Sequence, residues 1–156
     1  MSAVSGNPPQ ATYASGMVEV SYLPECVEKG LIMKQMLTIT LGLPPKELNP
    51  NSRPHWGKKA GATKRYRLES QLVTINEMVR HNIREPFQRL TITPVFYHDT
   101  NRRRDGDNAL ASLKAAFDGL VSAGLVIDDS LITHKPVEFR IDKDKPRVEL
   151  RIEVVK

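Results

Sequence analysis

The chain has 156 residues, one domain's worth and enough for a single sizeable core. With 40% hydrophobic residues, 26% charged residues and a mean hydropathy of −0.38, it reads as a soluble globular protein, and a cytoplasmic compartment fits. It lacks a run of about 18 apolar residues to span a membrane and an apolar stretch after a basic start, and a lone Cys26 excludes an internal disulfide or a cysteine-rich zinc site.

The net charge of +5 is unevenly spread. Residues 46–104 hold 13 Lys/Arg against 5 Asp/Glu, a net of +8, while the remainder nets −3. A basic middle beside an acidic remainder suggests contact with a polyanion, although a solvated charged surface has the same composition.

Residues 1–16 are small, polar and Pro/Gly-containing, the composition of a disordered tail. Met33 and Met36 stand just before the first clear strand pattern, so residues 1–33 are expected to be disordered or an extension, and residues 34–156 to form the domain. Residues 36–41 (MLTITL) alternate and predict a strand. Residues 43–57 hold four prolines and predict a long irregular loop, a feature of functional or mobile segments. Its Trp56 suits stacking on a base and suits packing the loop down equally well.

Leu68, Leu72, Ile75 and Val79 recur at helical spacing, with Ile83 a turn on, and predict a helix over 63–83 capped by Thr63. Lys64, Arg65 and Arg67 would then crowd its first turn, where the helix dipole disfavours cations and a nearby anion would offset the cost. Residues 90–97 predict a second strand, which Pro94 assigns to an edge or a bulge. A second helix is expected over 108–123, with Leu110, Leu113, Phe117 and Leu120 as its core stripe and Gly124 beyond its end. Residues 137–141 and 148–154 predict strands of a hairpin turning at 142–146. In the latter, Val148, Leu150, Ile152 and Val154 alternate with charged residues. The sum is an α+β fold: a two-layer sandwich with a mixed or antiparallel sheet of about four strands and two main helices on one face.

Chemistry concentrates in Asn101-Arg102-Arg103-Arg104-Asp105-Gly106-Asp107-Asn108 and the helix that follows. Asp107 or Asn108 would cap that helix. On a continuous helix, Lys114 and Asp118 each fall within about 20° of Asp107 in azimuth. Asp128 and Asp129 end the next apolar run, and a strand–helix–strand layout brings both carboxylate pairs to one end of the layer. Clustered Asp oxygens are hard ligands for Mg²⁺ or Mn²⁺. Two such ions about 4 Å apart activate water and stabilise the leaving oxygen in phosphoryl displacement. Lys114 would offset charge on the phosphate and Arg102, Arg103 and Arg104 would hold flanking phosphates. Each piece alone has a plainer account: Asp-Gly-Asp-Asn is ordinary turn and cap chemistry, and Lys114 and the arginine run are ordinary surface residues.

Taken together, Arg104-Asp105-Gly106-Asp107-Asn108, Lys114-Ala115-Ala116-Phe117-Asp118-Gly119-Leu120 and Ala123-Gly124-Leu125-Val126-Ile127-Asp128-Asp129 resemble the RusA family of Holliday-junction resolvases. Leu37-Thr38-Ile39-Thr40, Pro44-Pro45 and Asn49-Pro50-Asn51 resemble the family's first strand and proline–asparagine loop, so that residues 36–156 are covered. The resemblance implies a homodimer that cuts four-way DNA junctions symmetrically, with Mg²⁺ or Mn²⁺ and no organic cofactor. Asp105, Asp107 and Asp129 match the metal-binding residues, with Asp128 beside them, and Lys114 matches the catalytic lysine. Arg102, Arg103, Arg104, Lys58, Lys59, Lys64 and Arg65 are the expected backbone contacts, with the loop over 44–62 closing on DNA. The family's shorter spacing puts the lysine four residues after the second aspartate. Here it is seven, which on one helix keeps the face and moves the lysine about 4.5 Å along the axis. The longer spacing resembles phage-type members. The competing expectations are a branched-DNA-binding protein without catalysis, a nuclease for flaps, forks or RNA hybrids, and a structural basic protein whose aspartates are caps.

Overall fold

Alternation builds the centre of the sheet. In β5 (Arg147–Val155), Val148, Leu150, Ile152 and Val154 are buried, while Arg147, Glu149, Arg151 and Glu153 face the other way. The structure, a computed structural model, describes residues 34–155, so the expectation for residues 1–33 lies outside the described residues. β5 pairs antiparallel with β1 (Lys34–Leu41) on one side and with β2 (Leu90–His98) on the other. Beyond β2 lie two short strands in parallel pairing, β3 (Ile132–His134) beside its first half and β4 (Glu138–Ile141) beside its second. The result is a five-stranded mixed sheet.

Among the described residues three α-helices complete the fold: α1 (Trp56–Arg80), α2 (Gly106–Ser112) and α3 (Lys114–Ser122). Tyr66 of α1 and Ala116, Phe117 and Leu120 of α3 share one core with Leu37, Ile39, Ile92, Leu150 and Ile152 of the sheet. The expected α+β layering is therefore present, with one strand more than expected.

Several local expectations are corrected. α1 begins at Trp56, because the Nδ1 of His55 accepts the Gly57 amide at 3.2 Å and caps it. The loop is thus shorter than 44–62. Thr63 lies inside the helix, its hydroxyl donating to the Lys59 carbonyl at 2.9 Å. Lys58 and Lys59 occupy the unfavourable first turn in place of Lys64, Arg65 and Arg67.

The helix also faces the opposite way from an ordinary amphipathic one. Its buried row is Ala62, Tyr66, Ser70 and Thr74. Leu68, Leu72, Ile75 and Val79 are 51%, 55%, 38% and 74% exposed. Small residues win because α3 comes very close: a Cβ on Gly119 would stand 2.6 Å from the Arg67 carbonyl oxygen and from the Ser70 Cβ. The Ser70 hydroxyl donates to the Ala116 carbonyl at 2.7 Å across this contact.

Pro94 is buried in the middle of a central strand, not at an edge or a bulge. The Ile92 carbonyl accepts from Lys135 N at 2.9 Å, so Pro94, two residues on, points its missing donor to the same side. There β3 has ended and β4 has not begun, so no ladder bond is lost. Nor do β4 and β5 form a hairpin. β2 lies between them, and residues 142–146 cross its end. Finally, the helix expected over 108–123 is two helices, broken at Leu113 (φ −89°, ψ 0°). Gly124 follows α3 with φ +82°, the left-handed exit expected of it.

Candidate active site

The loop after β2 delivers the aspartates. Asp105 is extended, accepts the Asp107 amide at 2.9 Å through Oδ1 and the Asn108 side-chain amide at 3.2 Å through Oδ2. Asp105, not Asp107 or Asn108, is therefore the cap of α2. Asp107 is exposed in the first turn. In the segment after α3, Asp128 Oδ1 accepts the Ser130 amide at 2.8 Å and caps the short turn Asp129–Leu131. Hydrogen bonds from Ser130 hold the Asp128 carboxyl below the usual carboxylate range.

The break at Leu113 starts a new helix at Lys114 and turns that lysine toward the late aspartates. Its Nζ lies 3.9 Å from Asp129 Oδ2, with both side chains exposed. Leu110, Lys114, Phe117, Asp118, Asp129 and His134 line one hollow of about 220 Å³. The His134 ring sits 4.5 Å from that of Phe117, and burial pushes its pKa below 6.5 against the opposing charge of Asp129. Asp105, Arg104 and Asn108 border a different hollow.

So the structure brings Lys114 to Asp129 and places Asp105 and Asp107 next to each other at the start of α2. Among the described residues, no three His, Cys, Asp or Glu side chains are gathered into a ready metal site. The donor chemistry does fit a hard divalent cation, since Asp105, Asp107 and Asp129 offer carboxylate oxygens at the surface.

Of the expected DNA contacts, Arg102 and Arg103 are exposed, as are Lys58, Lys59, Lys64 and Arg65 on the N-terminal half of α1. Arg104 is half-buried and folds back on its own loop: its guanidinium donates to the carbonyls of Thr100 at 3.1 Å and Arg102 at 3.0 Å, bracing the segment that carries Asp105. Sequence reasoning missed His134. Nothing near it in the chain marks it, because its place beside Lys114 depends on the parallel pairing of β3 with β2.

Surface carboxylates, a lysine beside one of them and a basic flank are groups chemically suited to a phosphodiester backbone. Residues 45–153 match the family described as endodeoxyribonuclease RusA, and the chain belongs to that family. The family comprises nucleases of branched DNA junctions that generally depend on a divalent metal. A protein of Xylella fastidiosa (strain Temecula1 / ATCC 700964), described as uncharacterized, is 32% identical over 110 residues, covering 70% of this chain and 71% of that protein. Among the described residues no helix is long and apolar enough to cross a membrane.

Proposed function

We propose that this protein resolves four-way DNA junctions by paired phosphodiester cleavage, in recombination and repair in the cytoplasm, as a homodimer. The observation that carries the reading is the approach of Lys114 to Asp129, in a RusA-family chain whose Asp105 and Asp107 open the preceding helix. Asp105, Asp107 and Asp129, with Asp128 beside them, would hold Mg²⁺ or Mn²⁺, which supplies Lewis acidity and an activated water when bound.

The chain's own groups do the rest. Lys114 presents an ammonium to the charge that develops on the phosphoryl oxygens. Asp129 pairs with that ammonium and limits where it points. The Asp105 cap fixes the turn from which Asp107 projects. Arg102, Arg103, Lys58, Lys59, Lys64 and Arg65 contact flanking phosphates, and Arg104 holds the aspartate loop in place. A two-fold dimer presents two equivalent sites to a substrate with two equivalent strands.

The test incubates the protein with labelled four-way junctions and linear duplex of the same sequence, in Mg²⁺, Mn²⁺ or EDTA, beside Asp107→Asn. Symmetric nicking of the junction alone is expected, abolished by EDTA and reduced at least about 100-fold by Asp107→Asn. Tight junction binding without cutting in either metal overturns the enzyme and leaves a binding protein. Preferential cutting of flaps, forks or hybrids in a substrate panel overturns the junction assignment.

A further inference from the structure

On the far flank of Asp105 a cavity of about 340 Å³ opens at the surface, within the range of ligand pockets. Its walls come from three parts of the chain. Leu43, Pro44 and Pro45 of the loop after β1 form one wall. That loop is anchored to α1, since the Tyr66 hydroxyl donates to the Gly42 carbonyl at 2.9 Å and the Gly42 amide donates to Glu69 at 3.1 Å. Asn49, Arg104 and Asn108 provide polar groups.

The third wall is aromatic. Phe96 and His98 of β2 and Phe139 of β4 lie together, paired strand to strand at Phe96 and Phe139. The Phe96 and His98 rings stack with centroids 5.8 Å apart and planes 14° apart, and His98 and Phe139 stack at 6.1 Å and 27°. Phe139 is 39% exposed. The Nε2 of His98 is shielded from solvent and has no hydrogen-bond partner among the described residues. A buried polar atom left unpaired is costly, but this one is closed off from the cavity, which His98 borders with its ring.

Flat aromatic surface, proline edges and side-chain amides suit a flat heteroaromatic ring with a hydrogen-bonding edge. Asp105 lines the same cavity, so a ring seated there sits next to the phosphodiester presented to the aspartates. We propose that this cavity receives one DNA base, unstacked from its neighbours and adjacent to the phosphate that is cut. The inference rests on the nuclease reading and adds how branched DNA is told from duplex. In continuous duplex a base must leave both stack and pair to enter the cavity, whereas at a crossover that interruption already exists. Phe139 supplies the stacking face, and Asn49 and Asn108 supply the polar edge.

The test uses the full chain in EDTA with four-way junctions that carry 2-aminopurine at one position at a time around the crossover. One position per cleaved strand should change fluorescence several-fold on binding, and the same probe in linear duplex should not. Phe139→Ala and Phe139→Leu should both lose the change. In metal, both variants should cut the junction about tenfold more slowly, a size in keeping with one lost base–aromatic stack. Phe139→Leu keeps the apolar volume, so its loss of signal does not report misfolding. If the protein cuts junctions and no probe position responds, the base pocket is overturned and the nuclease reading stands. If it neither binds nor cuts junctions, the nuclease reading falls and takes the pocket with it.

Discussion

Gly119 shows how one missing methyl group sets the position of a helix. A Cβ there would lie 2.6 Å from backbone and side-chain atoms of α1, which cannot retreat without opening the Ser70–Ala116 contact. Gly119→Ala should therefore destabilise by about 1–3 kcal/mol, the range for overpacking. Gly61, also within a helix, has open space where a methyl group would stand, with nothing within 4 Å, so Gly61→Ala should stabilise by up to about 1 kcal/mol. Urea unfolding of both variants checks the pair, and equal effects would refute the packing argument. At this scale the candidate residues stood out because Asp, Lys and Gly occur in a recognisable order, and the structure brings Lys114 to Asp129. Which aspartate caps α2 was not, because Asp105, Asp107 and Asn108 are all good caps and only the backbone path chooses among them.

Strands and helices were legible where period and burial agree. β5 alternates and is buried on one face, as its pattern predicts. α1 has the period of a helix, but its apolar stripe is not its buried face, since close approach to Gly119 favours Ala62, Ser70 and Thr74. Strand pairing was not legible, because a short turn such as 142–146 suits a hairpin as well as a crossing over the end of β2. The outward face of the sheet carries its own network. Arg147 bonds Asp142 at 2.7 Å and Glu149 at 2.9 Å and lies 3.8 Å from the centroid of the Tyr97 ring. Burial pushes the Glu149 carboxyl up, but bonds from Arg147, Tyr97 and Arg151 outweigh it and leave it below its usual 4.5. The Arg147 hydrogen bond holds Asp142 below its usual 3.8. Carboxyls held low stabilise the fold above their unfolded values and lose that contribution as pH falls through the folded ones. Arg147→Met should therefore lower the melting temperature at pH 7 and flatten its decline below about pH 4.5. Melting curves from pH 3 to 7 give the comparison, and parallel curves would refute it.

For the molecule as a whole, the exposed row of Leu68, Leu72, Ile75 and Val79 suits the proposed dimer, since a two-fold axis lets one self-complementary apolar row cover its copy. Leu72→Asp should leave the fold intact within about 0.5 kcal/mol, as for other surface changes, and should convert a dimer to a monomer in analytical ultracentrifugation. An unchanged dimer would place the interface elsewhere.

The break at Leu113 also bears on how the family can vary. On one continuous helix, each inserted residue between Asp107 and Lys114 would rotate the lysine by about 100°. With the chain bent there, Lys114 takes its bearing from α3, which is locked by Gly119 and Phe117, and not from a count of residues back to Asp107. The segment between them thus behaves as a splice. Its length can drift while both ends stay seated, and the distance in sequence between aspartate and lysine carries less information than the element on which each resides.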